Sequence, residues 1–319
     1  MLNLVKNEWI KIFKRPGTYV MITLIILGVI GTGILTKMYA SSHTQSDAWK
    51  QDAIEQVKND QDLITASQKN PSSVPKDELQ NAKKDLELNQ YRLDHNMSPD
   101  ENSVWTFINA NITLISFTGL FTIIVAAGIV ASEFNWGTIK LLLIRPVSRF
   151  RILLSKYITV ILFGLLLLAV LFVFSGIIGA ILFGGGTASN THLAYVNGHV
   201  EEQNIILFLI KTYLLKSIDI VMLATMAFMI SAVFRNSSLA IGISIFLLFM
   251  GTTVTVAIAQ KYDWAKYILF ANTDLTQYFD GNPIISGMTM GFSIVMLIIY
   301  FVVFHLLAFG IFTKRDVAA

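Results

Sequence analysis

The sequence predicts an all-α polytopic membrane protein with six transmembrane helices. Of its 319 residues, 54% are hydrophobic and only 14% are charged, whereas soluble domains carry roughly 25% charged residues. The chain contains apolar runs long enough to cross a bilayer, which takes about 20 helical residues. Lysine and arginine gather between alternate runs, as they do in the cytoplasmic loops of membrane proteins. We therefore expect a multi-pass protein of the cell membrane with both termini in the cytoplasm.

The predicted spans follow the apolar runs in order. They cover residues 18–39, 104–131, 151–183, 205–234, 239–259 and 287–312. The first run has the layout of a signal peptide, but its apolar core exceeds the usual 7–15 or so residues and lacks a convincing cleavage site. We interpret it as an uncleaved span that starts in the cytoplasm. The third span is long enough to tilt or to begin within the membrane interface.

Three segments between the spans are predicted to lie outside the cell: 40–103, 184–204 and 260–286. The first is acidic and carries two narrow apolar stripes at helical spacing, separated by a proline-containing stretch, which predicts a helical hairpin. A solvated insertion without a ligand is the favoured interpretation over a ligand-binding one. Segment 184–204 is predicted to be an outer loop, in which the three glycines at 184–186 form a flexible connection and not a phosphate-binding loop. The aromatic residues of 260–286 are typical of an interfacial or re-entrant segment.

The remaining segments, 1–17, 132–150, 235–238 and 313–319, are predicted to be cytoplasmic. Residues 1–17 form an interfacial helix, because Leu2, Val5, Trp9 and Ile12 fall on one face while lysines and asparagines occupy the rest. Proline and glycine then end this helix before the first span begins.

Segment 132–150 is the basic loop between the second and third spans. Glu133–Leu143 is predicted to form a short amphipathic helix, with Trp136, Ile139 and Leu143 on one side. The Arg145-Pro146 pair ends it, since the residue before a proline avoids helical geometry. Such a helix is a natural docking element for a soluble partner, but a basic loop that only sets topology fits the same residues equally well.

Three common motifs of nucleotide-binding and hydrolytic enzymes are absent from the sequence. It has neither the GxxxxGK[ST] phosphate loop nor an HExxH or GxSxG motif. Its lack of cysteine excludes disulfides and thiol chemistry, and its five histidines are scattered. We therefore expect no enzyme activity, no catalytic residue, no cofactor and no metal. The net charge of +3 comes from cytoplasmic loops, so we expect no nucleic-acid partner.

Two charged residues inside the fourth predicted span are candidate pathway residues. Lys216 and Asp219 lie three positions apart, hence on one helix face, where they could neutralise each other. Ionisable residues within a span usually face a cavity or the bundle interior. The span is longer than a membrane crossing requires, so both residues could instead sit at the outer interface and reach water.

Four stretches spread over nearly the whole chain are similar to one family of membrane proteins. They are NEWIKIFKRPGTYV at 7–20, ASEFNWGTIKLLLIRPVSRFRILLSK at 131–156, MISAVFRNSSLAIGISIF at 229–246 and YILFANTDLTQYF at 267–279. The second is the most specific: a glutamate after the second span precedes Gly-Thr, a leucine run, Arg-Pro, Ser-Arg and a lysine. The chain thus resembles the permease subunits of bacterial ABC-2-type ABC transporters, in the bacitracin-resistance-like branch of Gram-positive bacteria.

This resemblance implies a function and partners. It implies two permease subunits per transporter, the second being a copy or a paralogue, and two separate ATP-binding subunits that bind from the cytoplasm. It also implies that the helix after the second span couples the permease to the ATPase and that residues 1–14 form a connecting helix. The implied coupling residues are Glu133, Trp136, Gly137, Thr138, Ile139, Arg145, Pro146 and Arg149, and the same motif includes Lys156.

We therefore expect an ABC exporter permease surrounded by membrane lipid and driven by ATP hydrolysis on another chain. A drug, an antimicrobial peptide or a lipid-like molecule would be its substrate. The alternative is a non-transporting membrane sensor, in which the outer hairpin binds a ligand and the basic loop signals inward.

Overall fold

Six helical segments pack into one bundle, and each is long and apolar enough to span a membrane. The computed structural model describes residues 1–42, 48–70, 74–98, 103–139, 146–184, 191–196, 198–279, 283–285 and 287–314. Within these ranges, six helical segments meet the length and hydropathy of a membrane span. The protein is therefore a multi-pass helical membrane protein, as its composition predicts.

The helices follow one another along the chain with short connections. They are α1 Leu2–Phe13, α2 Pro16–Ser42, α3 Ala48–Lys69, α4 Lys76–His95, α5 Val104–Ala110, α6 Ile115–Asn135, α7 Arg149–Phe183, α8 Ile205–Phe234, α9 Ser237–Ala259, α10 Leu269–Asn272 and α11 Met290–Lys314. Single 3₁₀ turns occupy Asn111–Leu114, Asp263–Tyr267 and Leu275–Tyr278. The six spans are α2, α5 with α6, α7, α8, α9 and α11.

The second and fourth spans form the centre of the bundle. In their most apolar stretches, 72% and 61% of residues are buried, against 17% in each of the fifth and sixth spans. Gly164 of α7 permits close packing here, because a β-carbon at this position would lie 2.9 Å from Thr122 of α6 and 3.2 Å from Ile220 of α8. Small residues at such crossings let membrane helices approach each other. The first, fifth and sixth spans leave most of their residues unburied within this chain.

The bundle has two different ends. The α1 end holds α1, the described residues after α6 and before α7, and the turn between α8 and α9. There, Asn135 donates a hydrogen bond to the Ser237 hydroxyl over 2.7 Å, and Arg149 donates to the Thr313 carbonyl over 3.3 Å. The hairpin end holds α3, α4, a β-hairpin and the described residues between α9 and α11.

Two polar helices, α3 and α4, pack against each other at the hairpin end. The Asn89 amide donates to Gln56 over 3.1 Å, and half-buried Asp60 lies close enough to exposed Asp85 to be affected by its charge. The pKa of Asp60 is raised, first by burial and then by the negative charge of Asp85. Asn96 ends α4 in the left-handed conformation that commonly closes a helix.

The outer loop predicted over 184–204 contains two paired strands, which the sequence did not indicate. Strands β1 (Thr191–Val196) and β2 (His199–Asn204) form an antiparallel hairpin that packs against α4 and the start of α8. Gly198 turns the chain with a φ of +89°, a conformation that glycine adopts without steric cost. Tyr91 of α4 holds the hairpin by donating to Glu202 over 3.0 Å.

The helix predicted over Glu133–Leu143 does not begin at Glu133. Residues 132–135 instead extend α6 beyond the predicted end of the second span at 131, and the chain then turns at Gly137 with a φ of +69°. Trp136 is 66% exposed, whereas Ile139 is 3% exposed, so these two side chains do not share a face. Residues 140–145, including the rest of the predicted helix, lie outside the described part of the chain.

Candidate functional site

Four charged side chains from three elements meet at the α1 end. Lys156 of α7 donates to Glu8 of α1 over 2.7 Å and to Glu133 of α6 over 2.8 Å. Lys11 of α1 lies 2.8 Å from Glu8 and 3.1 Å from the same Glu133 oxygen that Lys156 contacts. We call these four residues the charge network. It joins α1 to the last turn of the second span and the second turn of the third.

Glu133 is the hub of the charge network. Its Oε1 atom accepts from both Lys11 and Lys156, and its Oε2 atom accepts a short hydrogen bond from the Thr138 hydroxyl. Thr138 lies just past the turn at Gly137, so this bond fixes the start of the loop against the end of α6. Glu133 is therefore committed to partners within its own chain.

The charge network is buried and electrically balanced. The side chain of Lys156 is 2% exposed, that of Glu8 is 8% exposed, and that of Glu133 is 10% exposed. Two lysines face two glutamates, so the net charge is zero. Removing charges from water costs several kcal/mol per ion, and only good hydrogen-bond geometry of this kind offsets that cost. A buried lysine without both glutamates would be strongly unfavourable at this position.

Lys11 is the half-exposed member of the charge network. Burial alone would lower the pKa of Lys11, but the hydrogen bonds and negative charges of Glu8 and Glu133 outweigh it and raise that pKa above its ordinary value. Lys11 therefore stays protonated at neutral pH. A cavity of about 240 Å³ borders the network and is lined by Glu8, Lys11, Val147 and their neighbours.

The local sequence explains how α1 presents its glutamate to the bundle. Glu8 and Ile12 are one helical turn apart and are the buried residues of α1. The Thr18 hydroxyl donates to the Ile12 carbonyl over 2.6 Å and so fixes α1 against the first span. Leu2, predicted on the apolar face, is 85% exposed. The face of α1 that packs into the bundle therefore includes the charged residue Glu8, which the amphipathic pattern does not place on the apolar face.

Comparison with known protein families assigns the chain to one family. A family model described as "Protein of unknown function (DUF2705)" matches residues 82–318, which is most of the chain. The chain belongs to the DUF2705 family. The matched region includes Glu133 and Lys156 of the charge network but not α1.

Two proteins of Bacillus subtilis (strain 168) are similar to this DUF2705 member. The uncharacterized protein YhcI is 57% identical over 321 residues, which cover 100% of both chains. The uncharacterized membrane protein YdbK is 34% identical over 221 residues, covering 68% of this chain and 85% of YdbK. The word "membrane" in the second name agrees with the six apolar helices seen here.

The predicted coupling residues fall into two groups in the structure. Trp136 and Pro146 are exposed at the α1 end, where the Arg15 guanidinium lies 5.3 Å from the centre of the Trp136 ring. Glu133, Thr138 and Ile139 are instead turned into the chain, and Arg149 contacts α11 through the Thr313 carbonyl. Arg145 lies outside the described residues. Of the predicted coupling residues that the structure describes, Trp136, Gly137 and Pro146 are therefore the ones exposed at this end.

Lys216 and Asp219, which the sequence suggests could neutralise each other, do interact electrostatically, but the direct ion pair of Lys216 is with another carboxylate. Lys216 instead pairs with Asp274, which follows α10, with a distance of 2.7 Å between Nζ and Oδ2. Asp274 also accepts from the Thr276 amide and hydroxyl over 3.0 and 2.6 Å. A spacing of three residues would allow Lys216 to contact Asp219 on the same helix. In the fold, however, the carboxylate of Asp274 from a distant segment lies next to Lys216.

Lys216 and Asp219 both line a cavity within the bundle. This cavity has a volume of about 410 Å³ and lies between the start of the second span, α8 and α9, with Ile112, Leu223 and Phe249 among its apolar walls. The placement agrees with the rule that ionisable residues in spans face cavities or the bundle interior.

The ion pair of Lys216 and Asp274 predicts a dependence of stability on pH. Burial would raise the pKa of Asp274, but the charge of Lys216 and the hydrogen bonds from Lys216 and Thr276 lower it below its ordinary value. A lowered carboxyl pKa stabilises the fold above the unfolded value of about 3.9, and this contribution disappears as pH falls through the folded value.

We therefore expect Asp274→Asn to reduce stability at neutral pH by up to about 1 kcal/mol, since the partly exposed pair is screened by water. The midpoint of thermal unfolding, measured between pH 7 and about pH 3, should differ between wild type and variant at neutral pH and converge in acid. Asp263→Asn, which removes an exposed aspartate nearby, is the control. A difference that persists unchanged in acid would contradict the ion-pair explanation.

Proposed function

We propose that the chain is the permease subunit of an ABC exporter, driven by ATP-binding subunits on separate chains. The observation that carries this proposal is the charge network, because it locks together the elements that the ABC-2 resemblance assigns to coupling. These are α1, the end of the second span and the start of the third. A coupling device requires such rigidity, since a loose loop would absorb a partner's movement instead of passing it on.

The packing of the bundle supports transmission of a movement from the α1 end to the helices at its centre. α6 and α7 flank the loop and are held together by Glu133 and Lys156, so a displacement of the loop moves both helices as a unit. α6 also packs along α8 and α9, and its Ala131 amide donates to the buried Ser231 hydroxyl of α8 over 3.0 Å. The movement would thereby reach the helices that line the 410 Å³ cavity.

The outer faces of the bundle support a second permease subunit and surrounding lipid. The first, fifth and sixth spans expose most of their apolar side chains, which membrane lipid or a partner chain would cover. The second subunit would be a copy of this chain or a paralogue.

The proposed orientation places the α1 end in the cytoplasm and the hairpin end outside the cell membrane. Because the chain has no cysteine, single cysteines can report this directly. We expect cysteines at Lys14 and Ser238 to react with a membrane-impermeant maleimide only after the cells are opened. Cysteines at Lys83 and Lys261 should react in intact cells. The reverse labelling pattern would overturn the orientation and the coupling role with it.

The direct test of the proposed function is recovery of the ATP-binding subunit. A tagged chain, cross-linked in native membranes and purified in mild detergent, should recover a soluble protein that carries the phosphate-loop and ABC-signature motifs. Mass spectrometry identifies it, and a tagged unrelated six-span protein is the control. Recovery of a histidine kinase without any ABC ATPase would favour the membrane sensor and contradict the permease.

A further inference from the structure

Two cavities meet at Lys216 of α8. One, which we call the bundle cavity, is the space of about 410 Å³ that Lys216 and Asp219 line. The other, the hairpin-end cavity, has a volume of about 520 Å³ and lies between α4, the β-hairpin, the first turns of α8 and the 3₁₀ turn Leu275–Tyr278. Among the described residues that line them, Ile112 and Lys216 belong to both. These two side chains therefore lie between the cavities, and we call them the partition.

An ion pair with a distant segment holds Lys216 in the partition. Its Nζ atom lies 2.7 Å from Oδ2 of Asp274. The Thr276 amide and hydroxyl both donate to the other carboxylate oxygen of Asp274, and the Gln277 side-chain amide donates to its carbonyl over 2.8 Å. The carboxylate is thus fixed on a rigid turn. The ammonium group, at the end of a flexible side chain, is the member of the pair that can move.

A second carboxylate lies near Lys216. Asp219, three positions further along α8, interacts electrostatically with Lys216 and accepts a hydrogen bond from the Thr273 hydroxyl. Residues three apart on a helix are neighbours, so Lys216 can exchange Asp274 for Asp219 without losing an ionic partner. The side chains of Lys216 and Asp274 are 19% and 38% exposed, and ion pairs this close to water contribute little to stability. The exchange is therefore inexpensive.

Ile112, the apolar half of the partition, lies where the second span is interrupted. The 3₁₀ turn Asn111–Leu114 separates α5 from α6, and a 3₁₀ stretch within a helix often marks a hinge. The buried side chain of Asn111 holds this turn in place, because it donates to the Phe107 carbonyl over 3.0 Å and accepts from the Thr32 hydroxyl of the first span over 2.6 Å. The helix geometry thus changes at the point where the two cavities meet.

We propose that the partition is a gate between the two cavities, which Lys216 opens by exchanging Asp274 for Asp219. When Lys216 is bound to Asp274, its side chain lies between the cavities. Pairing with Asp219 turns it along its own helix and withdraws it from that space. The inference rests on the proposed permease function for its purpose, since a gate serves passage between the bundle and the hairpin end. It goes further by naming the residues that control the passage and their two positions.

The gate can be tested by the access of a water-soluble reagent to the bundle cavity. A single cysteine at Gly119 is a suitable reporter, because Gly119 lines this cavity, a β-carbon there would enter open space, and the chain has no other cysteine. The full chain in nanodiscs is modified with an uncharged, membrane-impermeant methanethiosulfonate. Its rate is divided by the rate with membrane-permeant methyl methanethiosulfonate. This ratio cancels changes in thiol reactivity and reports access from water.

The two aspartates should change this ratio in opposite directions. Asp274→Asn releases Lys216 and should raise the ratio about fivefold, which corresponds to about 1 kcal/mol, the upper value for a partly exposed pair. Asp219→Asn removes the partner of the open position and should lower the ratio below that of the chain with the reporter cysteine alone. Ile112→Ala removes the apolar half of the gate without changing a charge and should raise the ratio. Asp263→Asn removes an exposed aspartate of the hairpin end and, as the control, should leave it unchanged.

Three results would overturn the gate. A rise with both Asp274→Asn and Asp219→Asn would mean that loss of either carboxylate loosens the packing. Equal ratios for Asp274→Asn and Asp263→Asn would show that the ion pair does not close the passage. An unchanged ratio in Ile112→Ala would show that the cavities are not joined at this point. The experiment needs neither ATPase nor substrate, so its failure would leave the test of the permease function, recovery of the ATP-binding subunit, unaffected.

Discussion

Replacing Lys156 by methionine is expected to destabilise the fold by about 3 kcal/mol, the cost typical of breaking a buried ion pair. Methionine has a similar length and no charge, so packing is largely kept. Glu8 and Glu133 then remain close together with only Lys11 to balance them, and both are buried. The midpoint of thermal unfolding in detergent or nanodiscs should fall by several degrees, and membrane abundance should fall with it.

The matched control for this experiment is Lys14→Met. Lys14 follows α1 and is exposed, and the substitution removes the same charge from the same end of the bundle. We expect its unfolding midpoint to stay close to that of wild type, since exposed charges contribute little. Equal midpoints for Lys156→Met and Lys14→Met would mean that the charge network does not hold the α1 end together.

A double variant separates the ion pairs from the packing. Adding Glu133→Gln to Lys156→Met leaves Glu8 paired with Lys11 and restores charge balance. The double variant should therefore be more stable than Lys156→Met alone, a non-additive result that reports direct coupling between the two residues. Additive losses would show instead that each side chain acts separately.

The membrane-spanning helices could be predicted from sequence because the signal is local. A run of apolar residues longer than a bilayer crossing has few alternatives to a helix, since no water is present to pair with exposed backbone groups. The helix of the second span continues past residue 131, where the apolar run ends. Glu133 interrupts that run, and no local feature of the sequence shows that its charge is matched inside the bundle.

Ion pairs between residues far apart in the chain could not be predicted from the sequence. Lys11 and Glu133 are 122 residues apart, and Lys216 and Asp274 are 58 residues apart, so helical spacing says nothing about either contact. One signal for the charge network was nevertheless present. Glu8 is the single acidic residue among the first 17, in a helix whose other charges are all positive, and such an exception is a candidate for a specific partner.

The β-hairpin of 191–204 was missed because its composition hides the strand pattern. Three glycines precede it, and glutamates and an asparagine occupy its second strand, all of which are poor strand formers. The hairpin forms through tertiary contacts with α4 and α8.

The inward orientation of Glu133 changes which residue should control docking of the proposed ATPase. A charge reversal at Glu133 would break the charge network and unfold the α1 end, so it cannot report on the partner. Trp136 is the better probe, because it is 66% exposed and lies one turn beyond the network. Tryptophan is enriched among the residues that dominate binding energy at protein interfaces.

We therefore expect Trp136→Ala to weaken binding of the ATP-binding subunit roughly 30-fold, or about 2 kcal/mol, and to lower transport accordingly. The stability of the free chain should change by less than about 1 kcal/mol, since the side chain loses only an exposed contact with Arg15.

Trp264→Ala is the matched control, because Trp264 is 54% exposed at the hairpin end, away from the proposed docking surface. Affinity is measured between the nanodisc-embedded chain and the purified ATPase, with hydrolysis by the complex as a second readout. Unchanged binding in Trp136→Ala, or an equal loss in Trp264→Ala, would mean that the turn after the second span is not the docking surface. The charge network would then stabilise the α1 end without coupling it to a partner.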